Sequence, residues 1–90
     1  MNLYRFIISG KVQGVFYRKN VSQNAMIAGY RGSVKNLSNG TVEVYAELLD
    51  DELDGFLHLL QEGSPTSNVE DINYEIDTKH RLDYDGFVVL

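Results

Sequence analysis

The 90-residue chain has no cysteine. That excludes a disulfide framework, a thiolate zinc site and a cysteine nucleophile. It fits a reducing cytoplasm, where the protein is expected to work. Long apolar runs are missing too. The patch near the N-terminus is only Phe6-Ile7-Ile8, followed by Ser9-Gly10-Lys11. A secretory core needs roughly 7–15 apolar residues and a spanning helix about 20, so no membrane association is expected. Proline occurs once, at Pro65, and no linker, repeat or low-complexity tract interrupts the chain. Acids are absent from the first 42 positions, which hold Arg5, Lys11, Arg18, Lys19, Arg31 and Lys35. All 13 acids come later, against Lys79 and Arg81, for a net charge of −5. An acidic chain is a poor general binder of nucleic acid, whose phosphates need a basic surface. A locally basic first half can still hold a small anion.

What is present suffices for one domain spanning 1–90. Leu, Ile, Val and Phe make up about 31% of the residues, above the roughly 20% below which a highly charged chain stays disordered. Between Leu3 and Val12 the β-formers Tyr4, Phe6 and Ile8 share one side of a strand. The alternation breaks at Gly14, and a helix is expected from about Phe16 to Ala28, with Tyr17, Val21, Ala25 and Ala28 on one stripe and Gly29 as its stop. Arg31–Asn36 reads as a short strand. Asn39-Gly40 then signals a hairpin in which both residues tolerate positive φ. Thr41–Leu48 is the clearest strand, with Val42, Val44, Ala46 and Leu48 facing one way.

Asp50 and Asp51 stand where they would cap a second helix, whose Leu53, Phe56, Leu57 and Leu60 recur at helical spacing until Gly63 and Pro65 end it. Ile72, Tyr74 and Ile76 then alternate with Asp71, Asn73, Glu75 and Asp77 in a half-buried strand, and Phe87–Leu90 is a short final strand. His58 on the polar side of the second helix and His80 in a polar loop read as solvated residues. The order is βαββαβ with a short last strand. This α+β, ferredoxin-like arrangement places two helices on one face of an antiparallel sheet. The fold hosts many functions, so function must come from a site.

The junction Gln13-Gly14-Val15-Phe16-Tyr17-Arg18 is the site candidate. A glycine turn leading into a helix presents unpaired N–H groups and the positive end of a dipole, which suit phosphate or carboxylate. Arg18, in the first turn, can add a charged fork. Spacing alone leaves open a simple glycine turn with a surface arginine.

The run Gly10-Lys11-Val12-Gln13-Gly14-Val15-Phe16-Tyr17-Arg18 resembles the first signature of the acylphosphatase family, G-x-V-Q-G-V-x-(F/Y)-R. Residues Gly32 to Val44 resemble the second, G-x-V-x-N-x-x-(D/N)-G-x-V-E. The resemblance runs over nearly the whole chain and implies a free-standing acylphosphatase that hydrolyses acyl phosphates to a carboxylate and inorganic phosphate. It implies that Arg18 holds the phosphate, that N–H groups of the loop Gln13 to Arg18 complete a cradle, and that Asn36 orients the attacking water. It also implies no metal, no cofactor, no covalent intermediate and a monomer. The chemistry is consistent with this. The leaving group is a carboxylate of low pKa that needs no general acid. Positioning and charge stabilisation are then the main tasks left to the protein.

Two positions depart from the common pattern. Ser33 stands where a larger residue is frequent, and Leu48 stands where glycine often ends the third strand; both touch packing or loop shape and bear on substrate preference, stability and rate. Two other readings stay open from sequence: an anion-binding module without turnover, and a nucleic-acid binder, which the acidic composition disfavours.

Overall fold

Alternating apolar residues build the centre of the sheet. In the computed structural model, which describes residues 1–83 and 85–90, strand β1 (Asn2–Lys11) buries Tyr4, Phe6 and Ile8. Strand β3 (Val42–Leu48) does the same with Val42, Val44, Ala46 and Leu48, all wholly buried. The two pair antiparallel with Phe6 opposite Val44. Because side chains alternate with a period of two, this register puts both apolar sets on one face. β2 (Arg31–Asn36) pairs antiparallel with β3, and β4 (Asn68–Ile76) with the other side of β1.

The expected βαββαβ frame is present, with two helices packed on the sheet. The strand order is β4-β1-β3-β2-β5. The last strand, β5 (Phe87–Val89), joins β2 in parallel, so the sheet is mixed rather than wholly antiparallel. Topology explains this. β4 and β2 run in opposite directions at opposite sides of the sheet. A chain leaving β4 and re-entering beyond β2 from the same end must run in β2's own direction. Residues 77–83, after β4, lie on the face away from the helices and cover part of it. His80 stacks on Tyr45 at 4.2 Å between ring centroids, Arg31 donates to the Leu82 carbonyl at 3.4 Å, and Leu82 is buried outside the main core. His80 is exposed, as expected, but carries this ring contact.

Helix α1 (Tyr17–Ile27) buries Tyr17, Val21, Ser22 and Ala25. Ala28, expected on the buried stripe, is exposed, because the helix has already closed. The Gly29 and Tyr30 N–H groups fold back on the carbonyls of Met26 and Ala25 at 3.0 and 2.9 Å, a paired C-terminal cap. Helix α2 (Leu53–Glu62) buries Phe56 and Leu60. Neither Asp50 nor Asp51 caps it. A 3₁₀ turn over Asp50–Glu52 starts the helix earlier, and Glu52 reaches back to accept the Leu49 N–H at 2.8 Å. Asp50 instead accepts the Tyr4 hydroxyl at 3.1 Å.

At the β2–β3 hairpin only Gly40 is left-handed, with φ 91°; Asn39 is not. The turn runs over residues 37–40, closed by the Gly40 N–H on the Leu37 carbonyl at 3.2 Å. Asn39 serves through its side chain, whose Oδ1 accepts the Thr41 N–H at 3.1 Å. In β4, Tyr74 and Ile76 are about half exposed because the strand is an outer edge. Among the described residues no helix is long and apolar enough to cross a membrane.

Candidate active site

The junction between β1 and α1 is bent by two left-handed residues, Gly14 with φ 73° and Phe16 with φ 61°. Phe16 is the one non-glycine with such a backbone among the described residues. It sits directly before right-handed Tyr17, and a pair of opposite hand turns successive N–H groups toward one concave side. The first helical bond of α1 runs from the Asn20 N–H to the Phe16 carbonyl at 3.1 Å. The N–H groups of Tyr17, Arg18 and Lys19 therefore have no partner within the helix. The first turn carries Arg18 and Lys19 and no acid. Cations at this end oppose the helix dipole, and both they and the free N–H groups favour an anion lying against the turn.

Three braces hold the junction. Ser64 Oγ donates a buried hydrogen bond to the Val15 carbonyl at 2.6 Å, and Thr66 Oγ1 donates to the same oxygen at 3.2 Å. A trans peptide points its C=O and N–H in opposite directions, so drawing the Val15 carbonyl inward turns the Phe16 N–H outward. Gln13 Nε2 donates to the carbonyls of Leu37 and Thr41, both at 2.9 Å, tying the junction to the hairpin that follows Asn36. The Tyr17 hydroxyl donates to the Leu60 carbonyl at 2.8 Å. Burial pushes the Tyr17 phenol well up from its usual range, so it stays a proton donor. Gly63 lets the two helices meet there. A Cβ on it would stand 2.5 Å from Cε1 of the Tyr17 ring, and its φ is 51°.

A cavity of about 420 Å³ opens in front of the junction, bounded by Gly14, Phe16, Tyr17, Arg18, Lys19 and, from β2, Asn36. Arg18 Nη1 donates to the Leu90 carbonyl at 3.0 Å, which steadies the guanidinium at the cavity wall. The Leu90 N–H in turn donates to the Val34 carbonyl at 2.8 Å. Asn36 Oδ1 is buried and, among the described residues, accepts no hydrogen bond. A buried acceptor without a partner is costly, and this one borders the cavity.

The fold thus gathers Gly14, Phe16, Tyr17, Arg18 and Asn36 round one space. Gln13 and Val15, also expected in the loop, are not among the residues bounding it; one braces the hairpin and the other gives its carbonyl to Ser64. Lys19, Ser64 and Thr66 were not singled out from sequence. Lys19 was visible as a second cation in the helix's first turn. The braces from Ser64 and Thr66 had no local signal. His58 pairs with Glu62 at 3.0 Å and His80 lies on Tyr45; neither borders the cavity. Among the described residues no three His, Cys, Asp or Glu side chains cluster to hold a metal ion.

Comparison with known proteins gives a consistent answer. The acylphosphatase family model matches residues 4–89. An acylphosphatase from Bacillus licheniformis is 44% identical over 84 residues, covering 93% of this chain and 89% of the relative. The crystal structure of acylphosphatase from Bacillus subtilis superposes with a TM-score of 0.87 at 34% identity, over 100% of this chain and 99% of that one. T. kodakarensis HypF matches 99% of this chain with only 12% of its own length, at 26% identity and a TM-score of 0.79.

Proposed function

The chain belongs to the acylphosphatase family, and from that premise we propose that it hydrolyses acyl phosphates by direct attack of water on phosphorus, in the cytoplasm, as a monomer, without metal or cofactor. The phosphoryl group lies against the N-terminus of α1, where the free N–H groups of the junction and the Arg18 guanidinium bind its oxygens. Water sits beside Asn36. Oδ1 accepts a hydrogen bond from the water and leaves a lone pair on the water oxygen directed at phosphorus. As the new P–O bond forms, the bond from phosphorus to the acyl oxygen breaks, and the electron pair leaves with the carboxylate. The water's proton passes to a phosphoryl oxygen. The products are a carboxylate and inorganic phosphate. Charge on the phosphoryl oxygens meets donors already in place, which is where most of the rate enhancement arises.

The observation that carries this reading is the pairing of Arg18 with the orphaned Oδ1 of Asn36 across one cavity at a helix N-terminus that carries no acid. The test is benzoyl phosphate hydrolysis in excess EDTA by the wild type, Arg18→Ala and Asn36→Ala. Turnover that survives EDTA and falls at least about a hundredfold in each variant supports both roles. A folded wild type that binds phosphate without turnover would instead support the second reading, a binding module; the HypF likeness, with this fold as a small part of a larger chain, motivates it.

A further inference from the structure

Phe16 holds a left-handed backbone that a bulky residue seldom adopts. Such a conformation persists only where its surroundings over-determine it. The two carbonyls that flank it show how. The Val15 carbonyl accepts the hydroxyls of Ser64 and Thr66 at 2.6 and 3.2 Å. The Phe16 carbonyl also accepts two donors, and both come from Asn20: the backbone N–H at 3.1 Å and the side-chain Nδ2 at 3.0 Å. With the peptide plane fixed on each side, the φ and ψ of Phe16 have little freedom left.

The second plane bears on the cradle directly. C=O and N–H point opposite ways across a trans peptide. Asn20 draws the Phe16 carbonyl along α1, so the Tyr17 N–H of the same peptide points out of the helix end. Phe16 stands at the N-cap position and makes no side-chain bond there, so the amide of Asn20 is the side-chain brace on this plane. A carbonyl only accepts, which requires the NH₂ end of that amide to face it. Helix stability does not call for this residue. Asn20 is partly exposed, and asparagine is a poorer helix former than alanine. Nor does Asn20 border the cavity that holds Arg18 and Asn36.

We infer that Asn20 is a positioning residue for the hydrolysis: it acts through the Phe16 carbonyl to aim the Tyr17 N–H at the phosphoryl oxygens. Ser64 and Thr66 aim the Phe16 N–H from the other side. Two neighbouring donors of the cradle are thus set by two separate braces, one from the loop after α2 and one from within α1. This inference rests on the activity proposed above and adds to it a residue set back from the reacting atoms.

The test measures three things in the wild type, Asn20→Ala and Asn20→Ser: the dissociation constant for inorganic phosphate by titration calorimetry, the thermal midpoint without phosphate, and kcat and KM for benzoyl phosphate. Alanine is the better helix former at a partly exposed position, so Asn20→Ala is expected to fold with an unchanged or higher midpoint. Its phosphate dissociation constant should nevertheless rise about tenfold, and KM should rise with it. A serine hydroxyl can donate to the carbonyl four residues back, so Asn20→Ser should recover most of the loss. A merely structural Asn20 would give the reverse in Asn20→Ala, a lower midpoint with wild-type phosphate affinity, and that result overturns the inference. An equal loss in Asn20→Ser also overturns it, because the bulk of the amide rather than its bond would then matter. A wild type that binds phosphate but leaves benzoyl phosphate intact overturns the activity, and the part of Asn20 in hydrolysis with it; the dissociation constants of the variants still show whether Asn20 aims the donor.

Discussion

The Ser64 hydroxyl and the Val15 carbonyl form a buried 2.6 Å hydrogen bond across 49 residues of sequence. The loop that follows α2 thereby sets the peptide plane from which the Phe16 N–H projects. Ser64→Ala removes the shorter of two bonds to that oxygen and leaves the 3.2 Å one from Thr66. The expected loss is about 1–2 kcal/mol of stability. The inhibition constant for inorganic phosphate should also rise several-fold. A destabilised variant with unchanged phosphate affinity would show that the brace serves the fold alone.

Gln13 reaches the two carbonyls that flank the hairpin turn. It therefore ties the β1–α1 junction to the end of β2, where Asn36 stands. Gln13→Ala should lower kcat roughly tenfold, since small misplacements of reacting groups cost about that much or more, while KM moves little. Steady-state kinetics on benzoyl phosphate decide the matter; a rise in KM at constant kcat would contradict it.

Two cations and no acid at the start of α1 make the unliganded site a place of local repulsion. Phosphate should stabilise the protein. At about one hundred times its dissociation constant the gain is about 2.7 kcal/mol, read as a rise in thermal midpoint against chloride at equal ionic strength. Arg18→Ala should abolish most of that rise.

Gly63 is where α2 ends against the ring of Tyr17. Gly63→Ala forces a methyl group into that ring and a side chain onto a left-handed backbone. The expected cost is about 2–4 kcal/mol, measured by urea unfolding. Tyr17 begins α1, so phosphate binding should weaken in the same variant.

Asp77 accepts the N–H groups of His80 and Lys79, both at 2.8 Å, and the Tyr45 hydroxyl at 3.3 Å. The backbone N–H bonds, His80's first, hold its carboxyl below the usual 3.8. A lowered folded value means stability that is present above the unfolded value and lost as pH falls through the folded one. Asp77→Ala should therefore be less stable than the wild type at neutral pH. The gap should narrow only when the pH drops below 3.8. A gap unchanged by acid would assign the effect to packing.

Much of the fold was legible because burial follows simple periods. Val42, Val44, Ala46 and Leu48 alternate without interruption and all are wholly buried. Leu53, Phe56, Leu57 and Leu60 mark one helix face for the same reason. Gly14, Phe16, Tyr17, Arg18 and Asn36 could be named as candidates because their two segments carry dense local motifs, and the fold gathers them round one cavity. What could not be read depends on meetings between distant segments. Ser64 follows a helix stop, and nothing nearby shows that its hydroxyl will find Val15. The cap at the second helix went to Glu52 because a 3₁₀ turn shifted the start. The direction of β5 was decided by where the crossing segment re-enters, which no residue in Phe87–Val89 encodes.

The contact between Arg18 and the Leu90 carbonyl has a consequence for when the site exists. β5 is three residues long, lies at an edge, and leaves Val89 and Leu90 about half exposed. Fraying this end at Val89 and Leu90, while Phe87 stays buried in the core, uncovers little apolar surface, so the end opens at a lower free energy than the β1–β3 core. Once it opens, the guanidinium loses its anchor while the rest of the domain stands. Activity is then expected to have a melting point of its own, and in mild urea it should fade before the sheet does.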